Sequence, residues 1–362
     1  MKILYITTYG KTMSFFDNLI KQLIDEGHTV DIATNYSIGK VPECYSEWRC
    51  KIYPISTSRS PFSIGNIKAI KQIRRIAKDY DIIHCHTPLA AMATRFACKP
   101  LRKKQGLKVI YTAHGFHFYK GAPLKNWLIY YPIEKLCSHW TDKLITINKE
   151  DYELAKKKMK AKQIEYVPGV GIDTKKFADV VVDRDKKREE LGIPKDAFLL
   201  LSVGELNENK NHQVVIRAIA KLNNPDIHYM IAGQGDKKEK LESLAKELNV
   251  NLHLLGYRDD VAELYKIADV DVFPSIREGL GLAAVEGMAS GLPLICADNR
   301  GTRSYAIDGV NALVCNSVDD YAKAIDKMQS SEYREQLGVN ATQKAKGFDV
   351  SIINRKMMEI YQ

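Results

Sequence analysis

The sequence contains no apolar run of about 18 residues, the length a membrane-crossing helix needs. It contains no Cys-x-x-Cys pair, and its seven cysteines, at 44, 50, 85, 98, 137, 296 and 315, are odd in number. Cys85 and Cys296 sit inside apolar runs. That usage excludes a disulfide framework and a thiolate zinc site, and implies reduced, buried thiols in a cytosolic protein. Residues 1–6 resemble the start of a signal peptide, but Thr7, Thr8, Tyr9 and Gly10 end the apolar run early, so the segment reads as a first buried strand. The turn after it has one glycine, Gly10, where the dinucleotide fingerprint needs three, and no acidic residue follows at the right place to hold a ribose. A nicotinamide enzyme is therefore disfavoured. There is no repeat of solenoid period and no low-complexity tract.

What is present is length, charge asymmetry and alternation. A chain of 362 residues with 45% hydrophobic content supports two domains, each with its own core. Residues 1–170 hold 28 Lys and Arg against 14 Asp and Glu, a net of +14, while the remainder is −4. The basic half suits an anionic surface or a lipid phosphate. Nucleic acid fits less well, because the basic clusters lack interleaved aromatics and any known binding motif.

Strand candidates at 3–7, 30–34, 51–55, 82–86, 107–112, 143–147 and 163–167 alternate with helix-period stretches at 15–25, 64–78, 89–98 and 127–137. Pro168-Gly169-Val170-Gly171 breaks the pattern, and 180–195 is charged and irregular. Alternation resumes with strands at 198–203, 227–232, 252–255, 270–273, 293–297 and 312–315, and 351–362 reads as a helix. The expected fold is α/β: a first domain of residues 1–170 with the helix 351–362, and a second of residues 171–350. Parallel sheets covered on both faces place a ligand outside the carboxyl ends of the strands, in a cleft between the domains.

The most informative stretch is 275–289: the apolar Val270–Pro274 precedes it like a buried strand, and Glu278-Gly-Leu-Gly-Leu-Ala-Ala-Val-Glu286 leads into a helix ended by Gly291 and Pro293. Glycines let backbone N–H groups approach a ligand, and the helix start favours an anion. Carboxylates accept from hydroxyls, so a sugar joined to a nucleotide diphosphate would use both features. The bland alternative is a plain Gly-rich turn. Ser202-Val203-Gly204-Glu205-Leu206-Asn207-Glu208-Asn209-Lys210 follows the first strand of the second domain. Gly233 and Gly235 end the next, either lining a phosphate path or simply turning the chain. Asp269-Val270-Asp271 mimics a metal-binding Asp-x-Asp but opens a buried strand, so it reads as structural. His84 and His86 share one face of a strand without a third metal ligand at a plausible spacing, which favours a core or site-lining role. The stretch 111–121 mixes His114 and His117 with aromatics and glycines just after a strand. Two basic clusters, Lys68, Lys71, Arg74, Arg75 and Lys78, and Arg95, Lys99, Arg102, Lys103 and Lys104, either meet a membrane or are solvated helix faces.

The Glu278-to-Glu286 spacing resembles the E-x7-E signature of retaining glycosyltransferases of family 4, which have the GT-B fold of two Rossmann-like domains facing across a cleft. Arg59-Ser60-Pro61-Phe62, His84-Cys85-His86-Thr87-Pro88, Thr112-Ala113-His114-Gly115-Phe116-His117, Gly121-Ala122-Pro123-Leu124-Lys125-Asn126-Trp127-Leu128 and Ile145-Thr146-Ile147-Asn148 resemble the EpsD-type branch. That branch builds bacterial exopolysaccharide or capsule units on a lipid carrier. The resemblance implies that Glu278 faces the donor sugar and Glu286 the ribose. The amides of Gly279, Leu280, Gly281 and Leu282 would lie near the sugar and diphosphate. It places the base at Tyr257 and Arg258, and carries a donor-sugar contact to His114. Lys210 matches a family cation on the diphosphate, whereas Glu205 stands where the wider family has Arg. A carboxylate about 4 Å from the diphosphate would cost about 4 kcal/mol at an effective dielectric near 20. So Glu205 turns away or a cation such as Arg277 offsets it. Gly10, Asn209, Gly233 and Gly235 complete the expected nucleotide set; His117 contacts the acceptor or packs. Lys71, Arg74, Arg75, Arg102, Lys103 and Lys104 are the expected acceptor or membrane residues.

The implied activity is retaining, metal-independent transfer from a nucleotide sugar, a UDP-sugar by expectation, to a lipid-linked saccharide, with no cofactor. It would occur in the cytoplasm or at the inner face of the plasma membrane. No covalent nucleophile is evident, so attack from the leaving-group side is the expected course. The rivals are a nucleotide-sugar epimerase on the same fold and a non-catalytic nucleotide-sugar-binding partner of an assembly complex.

Overall fold

In the computed structural model, which describes residues 1–37, 39–58 and 63–362, the apolar runs become parallel strands, the central ones buried on both faces. The motif 59–62 lies outside the described residues. Contacts divide the chain into two compact units, Met1–Val170 with Ile353–Gln362, and Gly171–Ile352.

Unit 1 runs β1 (Lys2–Tyr9), α1 (Asp17–Asp25), β2 (Thr29–Asn35), α2 (Cys44–Glu47), β3 (Ile52–Pro54), α3 (Ile64–Ile76), β4 (Ile82–His86), α4 (Pro88–Gln105), β5 (Lys108–Ala113), α5 (Leu124–Ser138), β6 (Lys143–Thr146), α6 (Lys149–Lys158) and β7 (Gln163–Tyr166). Its sheet order is β3-β2-β1-β4-β5-β6-β7, with every pairing parallel. Unit 2 contains α7 (Thr174–Ala178), α8 (Arg184–Glu190), β8 (Phe198–Val203), α9 (Gln213–Leu222), β9 (Ile227–Ala232), α10 (Lys238–Glu247), β10 (Asn251–Gly256), α11 (Val261–Ile267), β11 (Val270–Phe273), α12 (Leu282–Ala289), β12 (Leu294–Ala297), β13 (Ala312–Cys315), α13 (Val318–Lys327) and α14 (Ser331–Ala345). Its order is β10-β9-β8-β11-β12-β13, again parallel. The last helix, α15 (Val350–Tyr361), packs Ile353, Met357, Met358, Ile360 and Tyr361 against Ile3, Tyr5 and Ile20 in unit 1.

In each sheet the winding direction reverses beside the first strand, between β1 and β4 and between β8 and β11. The loops leaving those two carboxyl ends diverge to opposite sides, which opens a crevice there.

Two elements differ from the sequence expectation. The helix-period stretch at 89–98 is longer in the structure, where α4 continues through Pro100 to Gln105. Pro100 leaves the carbonyl of Phe96 without its helical donor. The Arg74 guanidinium supplies donors to that edge, through Nη2 to Phe96 O at 3.4 Å and Nε to Ala97 O at 3.1 Å. The stretch 180–195 is not wholly irregular, because it holds α8, capped where Asp183 accepts from Lys186 N at 3.1 Å. Arg188 of α8 is buried and donates to Ile267 O, Lys195 O, Ala197 O and Asp269 Oδ2. A charged composition concealed a helix whose arginine points inward.

Candidate active site

At the carboxyl ends of β8 and β11, two loops are joined by main-chain and side-chain bonds. Ile276 N donates to Asn209 O at 2.8 Å, and Asn209 Nδ2 donates to Arg277 O at 2.9 Å. Asn209 Oδ1 is buried and has no partner among the described residues. Lys210 Nζ donates to Glu278 Oε1 at 2.8 Å and lies 5.0 Å from the centre of the Phe273 ring. The two residues separated by 68 positions in the chain therefore form one ion pair. Both are only partly exposed, 20% and 17% by side chain, so the pair is shielded but within reach of a ligand.

Glu205 is exposed, and its Oε2 accepts from Asn207 Nδ2 at 2.8 Å. Beside it His212 is buried, bonded to Tyr229 Oη at 3.0 Å and to Glu205 O at 3.3 Å, and burial pushes it down to about 4. Gly233 and Gly235 are explained by packing. A Cβ on Gly233 would lie 1.8 Å from Gly204 O, and one on Gly235 would lie 2.3 Å from Leu206 O. No side chain fits where these loop backbones touch.

The loop after β11 is held from the other side by a segment that sequence reasoning did not single out. Asn299 Nδ2 donates to Ser275 O at 2.8 Å, while Asn299 Oδ1 accepts from Gly301 N and Thr302 N. Arg300 Nε reaches Glu278 O at 3.4 Å. Gly281 has φ +92°, and a Cβ there would meet the Phe273 ring at 2.7 Å and Tyr305 Oη at 3.0 Å. The signal for Asn299, Arg300 and Tyr305 was their place just after a strand, β12; nothing in their composition marked them. Leu280 is buried, and Gly279, Gly281 and Leu282 are partly exposed. Leu282 opens α12, so its first-turn N–H groups lack helical acceptors.

Glu286, in the second turn of α12, is partly buried, and burial pushes its carboxyl up to about 7 against the pull of Lys176. Asp271 on β11 is buried and shifted up by the same cause, with the Glu286 charge adding to it. Its Oδ2 would lie 2.3 Å from a Cβ on Gly287, so the glycine makes room for the carboxyl. Asp269 instead accepts from Arg184 and Arg188. Tyr257 is 68% exposed, while Arg258 is engaged by Asp260 through Nε at 2.7 Å and Nη2 at 2.5 Å. Arg277 is exposed.

In unit 1, His114 follows β5 and is half-buried, pushed down to about 4 by desolvation. Its Nε2 lies 3.1 Å from His86 Nδ1. His84 is fully buried, bonded to Tyr361 Oη at 2.5 Å and Thr112 Oγ1 at 2.8 Å. His117 is exposed and stacks on Tyr130, with centroids 4.5 Å apart. Gly10 is buried, where a Cβ would meet Gly39 O at 2.7 Å. Among the described residues no group of three or more His, Cys, Asp and Glu is arranged to hold a metal. No described helix is long and apolar enough to cross a membrane.

The basic clusters need correcting. Arg95 is buried, in a bidentate pair with Glu134 at 2.8 and 3.0 Å. Arg102 is paired with Asp142 at 2.7 and 2.8 Å, and Arg74 is spent on the α4 carbonyls. Lys71, Arg75, Lys103 and Lys104 remain exposed. The 18 residues of α4 span about 27 Å. They lead from the carboxyl end of β4 back to the amino end of β5, so Lys103 and Lys104 sit at the sheet edge opposite His114. A ligand held at His114 does not touch them.

Two family descriptions match the chain: Glycosyltransferase Family 4 over residues 14–176 and Glycosyl transferases group 1 over residues 183–344. The chain is 39% identical over 320 residues to the glycosyltransferase EpsD of Bacillus subtilis (strain 168), spanning 85% of this chain and 84% of that protein. It is 28% identical over 316 residues to the UDP-Gal:alpha-D-GlcNAc-diphosphoundecaprenol alpha-1,3-galactosyltransferase of Escherichia coli, spanning 82% and 80%. Among solved structures, HepE of Anabaena in complex with UDP and glucose superposes with a TM-score of 0.83 at 18% identity, over 100% of this chain and 99% of that one. At that identity the likeness speaks for the fold alone.

Proposed function

Because the chain belongs to glycosyltransferase family 4, with the GT-B fold, we propose that it moves a sugar from a UDP-sugar to a saccharide on a lipid diphosphate. Transfer would retain the anomeric configuration and need no metal. The observation that carries this reading is the Lys210–Glu278 ion pair at the carboxyl ends of β8 and β11. A diphosphate would draw Lys210 from Glu278, because it offers two charges where the carboxylate offers one. The freed carboxylate then accepts from hydroxyls of the sugar. Lys210 and the first-turn amides of α12 stabilise the leaving diphosphate, and Glu286 accepts from the ribose. His114 keeps the sugar-contacting role that the family resemblance implies. The donor and acceptor classes are supported by the name of the Escherichia coli relative. The outward turn of Glu205 towards Asn207 supports a diphosphate site free of its charge.

The test begins with calorimetric titration of UDP, GDP and ADP in EDTA, on wild type and Glu286→Ala. UDP alone should bind, and the variant should bind at least tenfold more weakly; binding indifferent to Glu286 sinks the assignment of the site. Radiolabelled UDP-sugars are then incubated with bacterial membranes. Label entering an organic-extractable lipid, with the donor's anomeric configuration kept, is the expected result. Interconversion of free UDP-sugars without membranes marks an epimerase instead. UDP binding without turnover on any acceptor marks a non-catalytic partner.

A further inference from the structure

We infer that His86 is a positioning residue: it donates its Nδ1–H to His114 Nε2 and so fixes His114 as the tautomer that carries its proton on Nδ1. The inference rests on the role given to His114 above. It goes further by stating which atom of His114 meets the ligand and with which polarity.

The argument starts from a buried atom. His86 closes β4 at 1% exposure, and its Nε2 has no partner among the described residues. Its other nitrogen, Nδ1, lies 3.1 Å from His114 Nε2. One proton must sit between those two nitrogens. If His114 donated it, His86 would carry its own proton on Nε2, as a buried N–H with nothing to bond. Orphaned buried N–H groups are rare, and leaving one unmade forfeits the full desolvation cost. If His86 donates, Nε2 is left as a bare lone pair, and under-satisfied buried acceptors are less rare than orphaned N–H groups.

The surroundings weigh against two escapes. An N–H can point at an aromatic face, but the rings closest to His86 are nearer parallel than perpendicular to it: Tyr5 stacks at 5.5 Å with planes 17° apart, Phe16 lies at 4.2 Å with planes 36° apart, and His84 lies at 4.2 Å with planes 39° apart. An imidazole N–H lies in its ring plane and does not meet the face of a ring so aligned. A buried water is the other escape. The space beside His86 is lined by Phe16, Leu19, Ile145 and Val167, with His84 and Thr112 as its polar side chains. Those two are bonded to each other at 2.8 Å, and His84 also to Tyr361. Thr112 Oγ1, the hydroxyl of that lining, already bonds His84, so the largely apolar space offers a water few of the two to four polar partners that buried waters take.

The consequence is chemical. With Nε2 occupied by His86, His114 has no free lone pair, so it does not act as a general base. Burial holds both rings neutral at pH 7. His114 therefore meets its ligand through Nδ1–H, as an uncharged donor, and the ligand atom it meets is an acceptor: a hydroxyl, carbonyl or phosphate oxygen.

The test is the long-range 1H–15N spectrum of the nine histidines in the full chain, with His114→Asn and His86→Asn spectra for assignment. The expected result is a protonated Nδ1 and a bare Nε2 on His114. Protonation of His114 at Nε2 in wild type overturns the inference, and this needs no variant to fold. His86→Phe keeps a ring but removes the donor, and should move the His114 proton to Nε2. His86→Asn places an amide nitrogen where Nδ1 was and should keep the wild-type tautomer. Transfer should fall about tenfold in the Phe variant and return to within about threefold in the Asn variant, a rescue that simple packing would not produce. Full transfer by His114→Ala would refute the role of His114 while leaving the tautomer standing, so the two failures are distinguishable.

Discussion

A glutamate on a solvated helix ionises near pH 4.5, but Glu286 keeps its proton until about pH 7 because burial penalises its charge. Only the ionised carboxylate can accept from two ribose hydroxyls at once. Nucleotide affinity should therefore rise with pH through 7, by about tenfold between pH 6 and 8 for a single group titrating at that midpoint. Calorimetry with UDP on wild type and Glu286→Gln checks this. The Gln variant should lose that pH dependence, and a wild-type profile parallel to it would remove Glu286 from the site. The sign for stability is opposite. The folded carboxyl holds its proton more tightly than the unfolded one, so this contribution to stability is present below about pH 4.5 and lost as the pH rises through 7. Nucleotide binding and stability thus favour different protonation states of one side chain.

Helix α4 and helix α5 are joined by the buried pair Arg95–Glu134, with the guanidinium 4.2 Å from the centre of the Tyr111 ring and Arg95 Nε donating to Ala91 O at 3.0 Å. Removing one partner leaves a buried charge uncompensated. Glu134→Ala should cost about 3–5 kcal/mol, read as a shift of the urea-unfolding curve of unit 1. The double variant Arg95→Met, Glu134→Leu should cost less than that single change, because it buries no lone charge. A double variant no more stable than Glu134→Ala would show that the pair holds the helices by hydrogen bonding rather than by mutual neutralisation. The same helix shows how a breaker is tolerated: Arg74, from α3, donates where Pro100 cannot. Both arginines looked like surface charge because composition counts cations without saying where they point.

Across the whole molecule the positive surplus belongs to residues 1–170. Once Arg74, Arg95 and Arg102 are assigned to internal partners, the expected acceptor or membrane residues that stay exposed are Lys71, Arg75, Lys103 and Lys104, beside Lys68, Lys78 and Lys99 of the same clusters. Each is worth about 1 kcal/mol near an anionic leaflet, and the attraction decays within about 10 Å at 0.1 M salt. Reversing Lys71, Arg75, Lys103 and Lys104 to Glu should sharply weaken co-sedimentation with phosphatidylglycerol-containing vesicles while UDP affinity stays unchanged. Undiminished binding would show these residues to be an ordinary solvated face.

The sequence by itself determined two parallel α/β sheets, because burial on both faces of a strand is written locally as a continuous apolar run, and burial on one stripe of a helix as an apolar residue every third to fourth position. It also marked the loop between Glu278 and Glu286, since glycines after a strand and before a helix leave a signal that needs no partner. Only the tertiary structure decided which charges meet. Lys210 reaches Glu278 across 68 positions, and Arg188 reaches Asp269 across 81. Asn299 braces Ser275, Glu205 turns to Asn207, and His86 faces His114 from a neighbouring strand. These pairings depend on strand order and on which side of a loop faces inward, and a side chain's charge alone carries neither.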